Sequence, residues 1–138
     1  MLAIDGEIFA LKAIVDDDGT LHVDDFVERG LPPFRRIAFI RDVPAGGSRG
    51  GHAHKLQSEY VICVSGGLDV RVEARGRVET IALREPGHGL LLPGATWRDL
   101  VNFAPGTIVA VLATDAFDER DYIRDHDAFL AWEVRRDE

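Results

Sequence analysis

The chain predicts an all-β fold, a small antiparallel barrel or jelly roll carrying one short C-terminal helix. Three observations lead there. Short β-branched or alternating segments recur along most of the 138 residues. Glycine- and proline-containing turns punctuate them, and helical spacing of apolar residues occurs only in the tail, between positions 122 and 134. Many short strands joined by tight turns bury their apolar faces by closing into a barrel or a double sheet.

The elements follow in order. Residues 7–15 read as one strand, and Asp16-Asp17-Asp18-Gly19 signals a turn before a second strand near Thr20. Leu31-Pro32-Pro33 breaks the chain, and residues 35–41 alternate as a further strand around Ile37 and Phe39. A glycine–histidine segment leads to a β-branched strand over 59–64, and Ser65-Gly66-Gly67 turns it into Leu68-Asp69-Val70-Arg71-Val72-Glu73. That last run alternates apolar and charged residues, the period of a half-buried strand. Arg75-Gly76 makes the next hairpin into residues 78–83, and Pro86-Gly87-His88-Gly89 punctuates again before Leu90-Leu91-Leu92. Pro93-Gly94 precedes Thr96-Trp97-Arg98, and Pro105-Gly106 precedes a fully apolar buried strand over 107–113. In the tail, Ile123, Phe129, Leu130 and Val134 recur near helical spacing, with Asp121 as a candidate cap. The acidic stretch 117–124 is expected to fix the start of that helix and to carry no chemistry.

Length and composition limit the function. A chain of 138 residues is expected to form a single domain with a real core, covering 1–138. The net charge of −8 leaves no basic excess to displace counterions, which argues against nucleic-acid binding. No apolar run approaches a membrane span and no basic-then-apolar leader is visible, so the cytoplasm is the expected compartment, with no membrane partner. The single cysteine, Cys63, lies in Tyr60-Val61-Ile62-Cys63-Val64 and reads as a buried apolar residue.

The chemistry concentrates between positions 46 and 66. His52 and His54 are two apart, so on a strand both imidazoles share one face and Ala53 points the other way. Glycines at 46, 47, 50 and 51 suggest special φ/ψ or close-packed backbone, as a strand bending into a barrel requires. Glu59 can return to the same interior. Two histidines and a carboxylate converging there suit metal ligation or proton transfer; the plainer alternative is a pair of surface histidines.

The spacing Gly46, five residues, His52-x-His54, four residues, Glu59, six residues, Gly66 resembles the first signature motif of the cupin superfamily without a mismatch. The second motif is recognisable in Gly87, Pro93 and Asn102, but Arg98 stands at its usual histidine position. A narrower likeness covers most of the chain. Arg49-Gly50-Gly51-His52-Ala53-His54-Lys55, Leu112-Ala113-Thr114-Asp115 and Phe117-Asp118-Glu119-Arg120-Asp121-Tyr122-Ile123-Arg124 resemble the WxcM-like group, which includes nucleotide-sugar 3,4-ketoisomerases.

That resemblance implies a cupin jelly roll, a homodimer with exchanged N-terminal strands, and a dTDP-linked 4-keto-6-deoxyhexose as substrate. It also implies no metal and no other cofactor, with His52 and His54 as the catalytic pair. Three positions depart from the family pattern: Ala38 where a tyrosine is usual, Glu59 where glutamine is usual, and Arg98 for histidine.

Moving a carbonyl from C4 to C3 removes the C3 proton and returns one at C4 through an enediol, work an imidazole does near neutral pH. Arg98 could stabilise the enediolate oxygen, or form a plain ion pair. If Glu59 and Arg98 both enter the barrel, pairing them is the least costly arrangement for two buried charges. An acidic protein needs a local cationic patch for a pyrophosphate. Arg49, Arg36, Arg35, Arg41 and Lys55 flank the expected barrel mouth, with Arg49 at the family's R-G-x-H position. Trp97 and Phe39 could stack on a base or sugar. Two other readings stay open: a metal-dependent small cupin holding its ion with His52, His54 and Glu59, and a non-catalytic sugar-nucleotide binder.

Overall fold

The computed structural model describes residues 6–84 and 87–137; Pro86 of the expected turn lies outside them. Twelve strands and one helix follow one another in it: β1 (Glu7–Ala10), β2 (Lys12–Asp16), β3 (Gly19–Val23), β4 (Arg36–Ile40), β5 (Arg49–His54), β6 (Glu59–Ser65), β7 (Gly67–Ala74), β8 (Arg77–Arg84), β9 (His88–Leu92), β10 (Trp97–Val101), β11 (Ile108–Ala113), β12 (Tyr122–Ile123) and α1 (His126–Arg136). A single 3-10 turn, Glu119–Asp121, precedes β12.

Two five-stranded sheets, in the orders β1-β9-β6-β11-β4 and β12-β5-β10-β7-β8, make the jelly roll that the turn-punctuated pattern predicts, of the cupin type that the resemblance implies, and every pairing is antiparallel. The alternation of β7 sends Leu68, Val70 and Val72 inward, all fully buried, against Leu90 and Leu92 of β9. Cys63 joins the same core. Close packing outside the barrel explains one glycine: a Cβ at Gly89 would sit 2.2 Å from the Tyr60 ring, which packs against Phe9, Phe26 and Phe34.

Several boundaries differ from the sequence reading. The strand expected over 7–15 is two strands, separated at Leu11, whose N–H turns to bond the Gly87 carbonyl. β1 pairs with β9, whereas β2 and β3 form a hairpin attached to neither large sheet. The strand expected from Thr107 begins one residue later, because the Thr107 N–H turns back to bond the Ala104 carbonyl at 3.2 Å.

The helix also starts later than position 122. Asp125, not Asp121, caps it, its carboxylate accepting the N–H of Ala128. Tyr122 and Ile123 instead extend β5 as a two-residue strand. Of the expected apolar face only Phe129 is buried within α1; Leu130 and Val134 face solvent, at 39% and 64% exposure.

Candidate active site

The two strands that carry the site are β5 and β10, paired so that His52 lies opposite Arg98 and Ala53 opposite Trp97. The glycines before the histidines shape that pairing. Arg98 faces His52 but Asp99 faces Gly50, so Gly51 is the extra residue of a bulge. Gly50 and Gly51 have φ of 91° and 68°, which a side chain would strain, and a Cβ on Gly50 would lie 3.0 Å from the Arg98 carbonyl. Beyond the bulge, His52, His54 and Arg98 share the inner face.

His52 lines a cavity of about 230 Å³ together with Arg36, Ala38, Arg49, Glu59, Arg98 and Tyr122. His54 lies one layer deeper and is fully buried, its ring centroid 4.9 Å from that of His52 and nearly perpendicular to it. The pair thus shares a face as expected, but His52 alone reaches the cavity wall. The ring of Tyr122 stands 4.3 Å from His54 and 5.1 Å from His52.

Glu59 and Arg98 both enter the barrel and pair. Arg98 is 1% exposed; its Nη1 donates to Glu59 Oε1, and its Nε and Nη2 both donate to the Thr96 carbonyl at 3.2 and 3.0 Å. Glu59 presents its second oxygen to His54 Nε2 at 3.4 Å. Burial alone would raise the Glu59 carboxyl, but the Arg98 guanidinium, helped by the imidazoles, outweighs it and holds the group at about 2. Burial lowers His52, and the nearby Arg98 and His54 lower it further; the Glu59 carboxylate and the Gly50 carbonyl oppose them, leaving the ring at about 4. His52 is therefore a neutral imidazole at physiological pH. Its Nε2 is buried and has no hydrogen-bond partner among the described residues.

One residue with no expected chemistry belongs here. Asp121 reaches His54 Nδ1 with Oδ2 at 3.1 Å and accepts the backbone N–H groups of Leu56 and Gln57 at 2.8 and 3.3 Å. Its sequence signal is its place in the tail motif quoted above, together with Tyr122.

Other expected site residues divide. Arg49 and Arg36 line the cavity, and Arg49 also borders a neighbouring groove with Arg41 and Phe39. Arg36 has its Nε buried without a hydrogen-bond partner among the described residues. Lys55 does not join them: it lies past the end of β5, exposed on an outer groove with Arg124 and Trp132. Trp97 likewise does not face the cavity. Strand alternation turns it outward, where it is 5% exposed and packs with Ala53, Ile123 and Phe129 beneath α1.

The donor atoms of His52, His54 and Glu59 lie within 4.8 Å of one another, close enough in spacing for a cation. The set does not fit one. Glu59 already spends one oxygen on Arg98, and a divalent ion there would face a buried guanidinium with permanent charge. The arrangement suits proton transfer beside a fixed cation instead. Among the described residues, no helix is long and apolar enough to cross a membrane.

Comparison with known proteins places this geometry among relatives. Residues 4–133 match the family model described as FdtA: WxcM-like, C-terminal. The TDP-4-oxo-6-deoxy-alpha-D-glucose-3,4-oxoisomerase of Aneurinibacillus thermoaerophilus is 31% identical over 128 residues, 91% of each chain. The sugar 3,4-ketoisomerase QdtA of Thermoanaerobacterium thermosaccharolyticum, solved in complex with TDP, superimposes with a TM-score of 0.89 at 27% identity over 98% of both chains. WlaRB of Campylobacter jejuni, a TDP-quinovose 3,4-ketoisomerase, has a TM-score of 0.85 at 33% identity, covering 92% of this chain and 98% of its own.

Proposed function

The chain belongs to the WxcM-like family of FdtA, and from that premise we propose that it is a sugar-nucleotide 3,4-ketoisomerase acting on a dTDP-linked 4-keto-6-deoxyhexose. The observation that carries the reading is a neutral His52, its buried Nε2 without a hydrogen-bond partner among the described residues, on the wall of a cavity that also holds the Arg98 cation.

In this reading His52 takes the proton from C3. The electron pair forms the C3–C4 double bond, and the former carbonyl oxygen on C4 becomes an enediolate oxygen. A buried cation lowers the energy of that developing charge without reorganising solvent, and Arg98 is the cation at hand. The proton is then returned at C4, and as the new C3 carbonyl forms the C3 hydroxyl proton passes to the C4 oxygen, which ends as a hydroxyl. His54 stands behind His52 and fixes its setting. Arg49 and Arg36 supply the local positive charge that a pyrophosphate requires on a protein of net charge −8.

The test is direct. Incubation with a TDP-4-keto-6-deoxyhexose in deuterated water should yield the 3-keto isomer with deuterium incorporated at the sugar carbons. Binding of TDP without turnover or exchange would replace this reading with that of a sugar-nucleotide binder.

The working unit in this reading is a homodimer with exchanged N-terminal strands in the cytoplasm. Its support is the β2–β3 hairpin, which pairs with neither large sheet and exposes Ile14, Val15 and Leu21 at 43%, 73% and 58%. Sedimentation that finds only monomer at micromolar concentration would refute the assembly while leaving the chemistry open.

A further inference from the structure

We propose that Asp121, from the C-terminal tail, is the positioning residue of the site: it holds a hydrogen on Nδ1 of His54 and fixes its ring plane, against which His52 stands. This rests on the ketoisomerase reading for its effect on rate, but the geometry can be tested without substrate.

Three acceptor contacts make the case. Oδ1 of Asp121 takes the Leu56 N–H, and Oδ2 takes the Gln57 N–H while facing His54 Nδ1. The main chain adds a fourth tie, the Lys55 N–H bonding the Asp121 carbonyl at 2.9 Å. The carboxylate is therefore held in place by the loop that follows β5 and cannot turn away from the imidazole. An ionised carboxylate only accepts, so the hydrogen between Asp121 and His54 must sit on Nδ1. His54 is fully buried and the Asp121 side chain is 16% exposed, so little water competes for that hydrogen bond.

The consequence passes forward by packing. With Nδ1 anchored, the His54 ring keeps its edge-on contact with His52 at 4.9 Å and directs Nε2 toward Glu59. A His54 ring free to flip would alter both the packing and the field felt by His52. The tail thus completes the site: Asp121 orients His54, while its neighbour Tyr122 packs on both imidazoles.

The informative variant is Asp121→Asn, which is nearly isosteric but turns one acceptor end into a donor. If its oxygen stays on the Leu56 N–H, its amide N–H2 faces Nδ1, which must then accept, and the Gln57 N–H loses its acceptor. If it flips, the Leu56 N–H loses its acceptor. Removing such an orienting group is expected to lower kcat by roughly 10–100-fold, the usual scale for an outer-shell partner, with KM and TDP affinity unchanged.

Two further measurements separate positioning from folding. Long-range proton–nitrogen NMR of imidazole-labelled protein should show His54 protonated at Nδ1 in the wild type and, in the Asp121→Asn orientation that keeps the Leu56 bond, lacking that proton. Asp118→Ala removes the cap of the 3-10 turn and its pairing to Arg120 without touching His54, so it should disturb the tail yet keep kcat. A bare Nδ1 on wild-type His54 would overturn the proposal even if Asp121→Asn failed to fold. So would full activity of Asp121→Asn, or an equal loss of kcat in Asp118→Ala. Absence of turnover in the wild type would instead refute the ketoisomerase reading and leave the NMR result standing.

Discussion

The two faces of the β5–β10 pair are built from adjacent residues and have opposite chemistry. On the inner face His52, Arg98 and Glu59 line a cavity, with His54 fully buried behind them. On the outer face Ala53 and Trp97 meet Ile123 and Phe129 beneath α1, with Trp132 at the margin. The inner face holds charge that is costly to bury unless it is paired, whereas the outer face holds apolar area that stabilises by its burial alone. The outer cluster anchors the pair from outside, so the inner one can keep a cavity and an imidazole whose Nε2 has no partner among the described residues. The comparison assigns stability to one face and chemistry to the other, and substitutions on each should separate the two.

The largest expected effect is on the inner face. His52→Asn removes the titrating nitrogen at the cavity wall and should reduce deuterium exchange at the sugar carbons by about 10²–10⁴-fold, the scale for losing a general acid or base. TDP affinity, measured by calorimetry, should be retained. Full exchange in this variant would dissolve the division between the faces, because the chemistry would have to lie elsewhere.

Next come two substitutions of similar size and different cause. Phe129→Ala should destabilise the fold by about 3–5 kcal/mol through a cavity beneath α1, with the exchange rate of the folded protein unchanged. Arg98→Ala should cost about 3–5 kcal/mol because it strands the Glu59 carboxylate in the barrel. The distinguishing measurement is the second-site change. Glu59→Gln should restore much of the stability lost in Arg98→Ala and do nothing for Phe129→Ala. Equal rescue of both in urea denaturation would show that Glu59 acts through general stability rather than through the pair.

The inner face should also make stability fall in acid. His52 titrates at about 4 when folded against an ordinary value of 6.5, so between those limits the unfolded chain binds more protons and stability declines as pH falls. The loss should reach roughly 2–3 kcal/mol, discounted for the part of the ring nearer solvent. Glu59, held at about 2 against 4.5, adds a second decline as pH drops through that lower range. In His52→Asn the upper decline should vanish and the lower one persist. An unchanged Tm profile between pH 6.5 and 4 in that variant would place the acid sensitivity on other groups.

What the sequence made legible follows from periodicity and charge. Alternation in 68–73, the inward histidine pair and the turn glycines are local signals, and each translated into structure. The Glu59–Arg98 pair was legible too, since two opposite charges entering one barrel leave few other arrangements. Depth was not legible: period-two spacing puts His52 and His54 on one face but does not say that only His52 reaches the cavity. Asp121 was hidden by distance, meeting His54 across 67 positions of chain. Its acidic neighbourhood resembles a helix start, and the true cap, Asp125, lies only four residues on. Lys55 and Trp97 adjoin His54 and Arg98 in sequence, but a strand end and one step of alternation carry them away from the cavity.

The smallest expected effect sharpens that last point. Trp97→Phe keeps an aromatic ring beneath α1 but deletes the indole N–H, which donates to Asp99 Oδ2 at 3.1 Å. Asp99 keeps 28% of its side chain exposed, so water can replace the lost donor. The net cost should therefore stay near that of one hydrogen bond with a small packing change, about 1 kcal/mol. Because Trp97 packs against Phe129 at a centroid distance of 5.8 Å, outside the barrel, TDP affinity and exchange rate should not move. A base or sugar stacked on Trp97 would behave differently: TDP binding would weaken with Tm hardly altered. The ratio of the two changes, rather than either alone, decides whether this tryptophan serves the helix or the ligand.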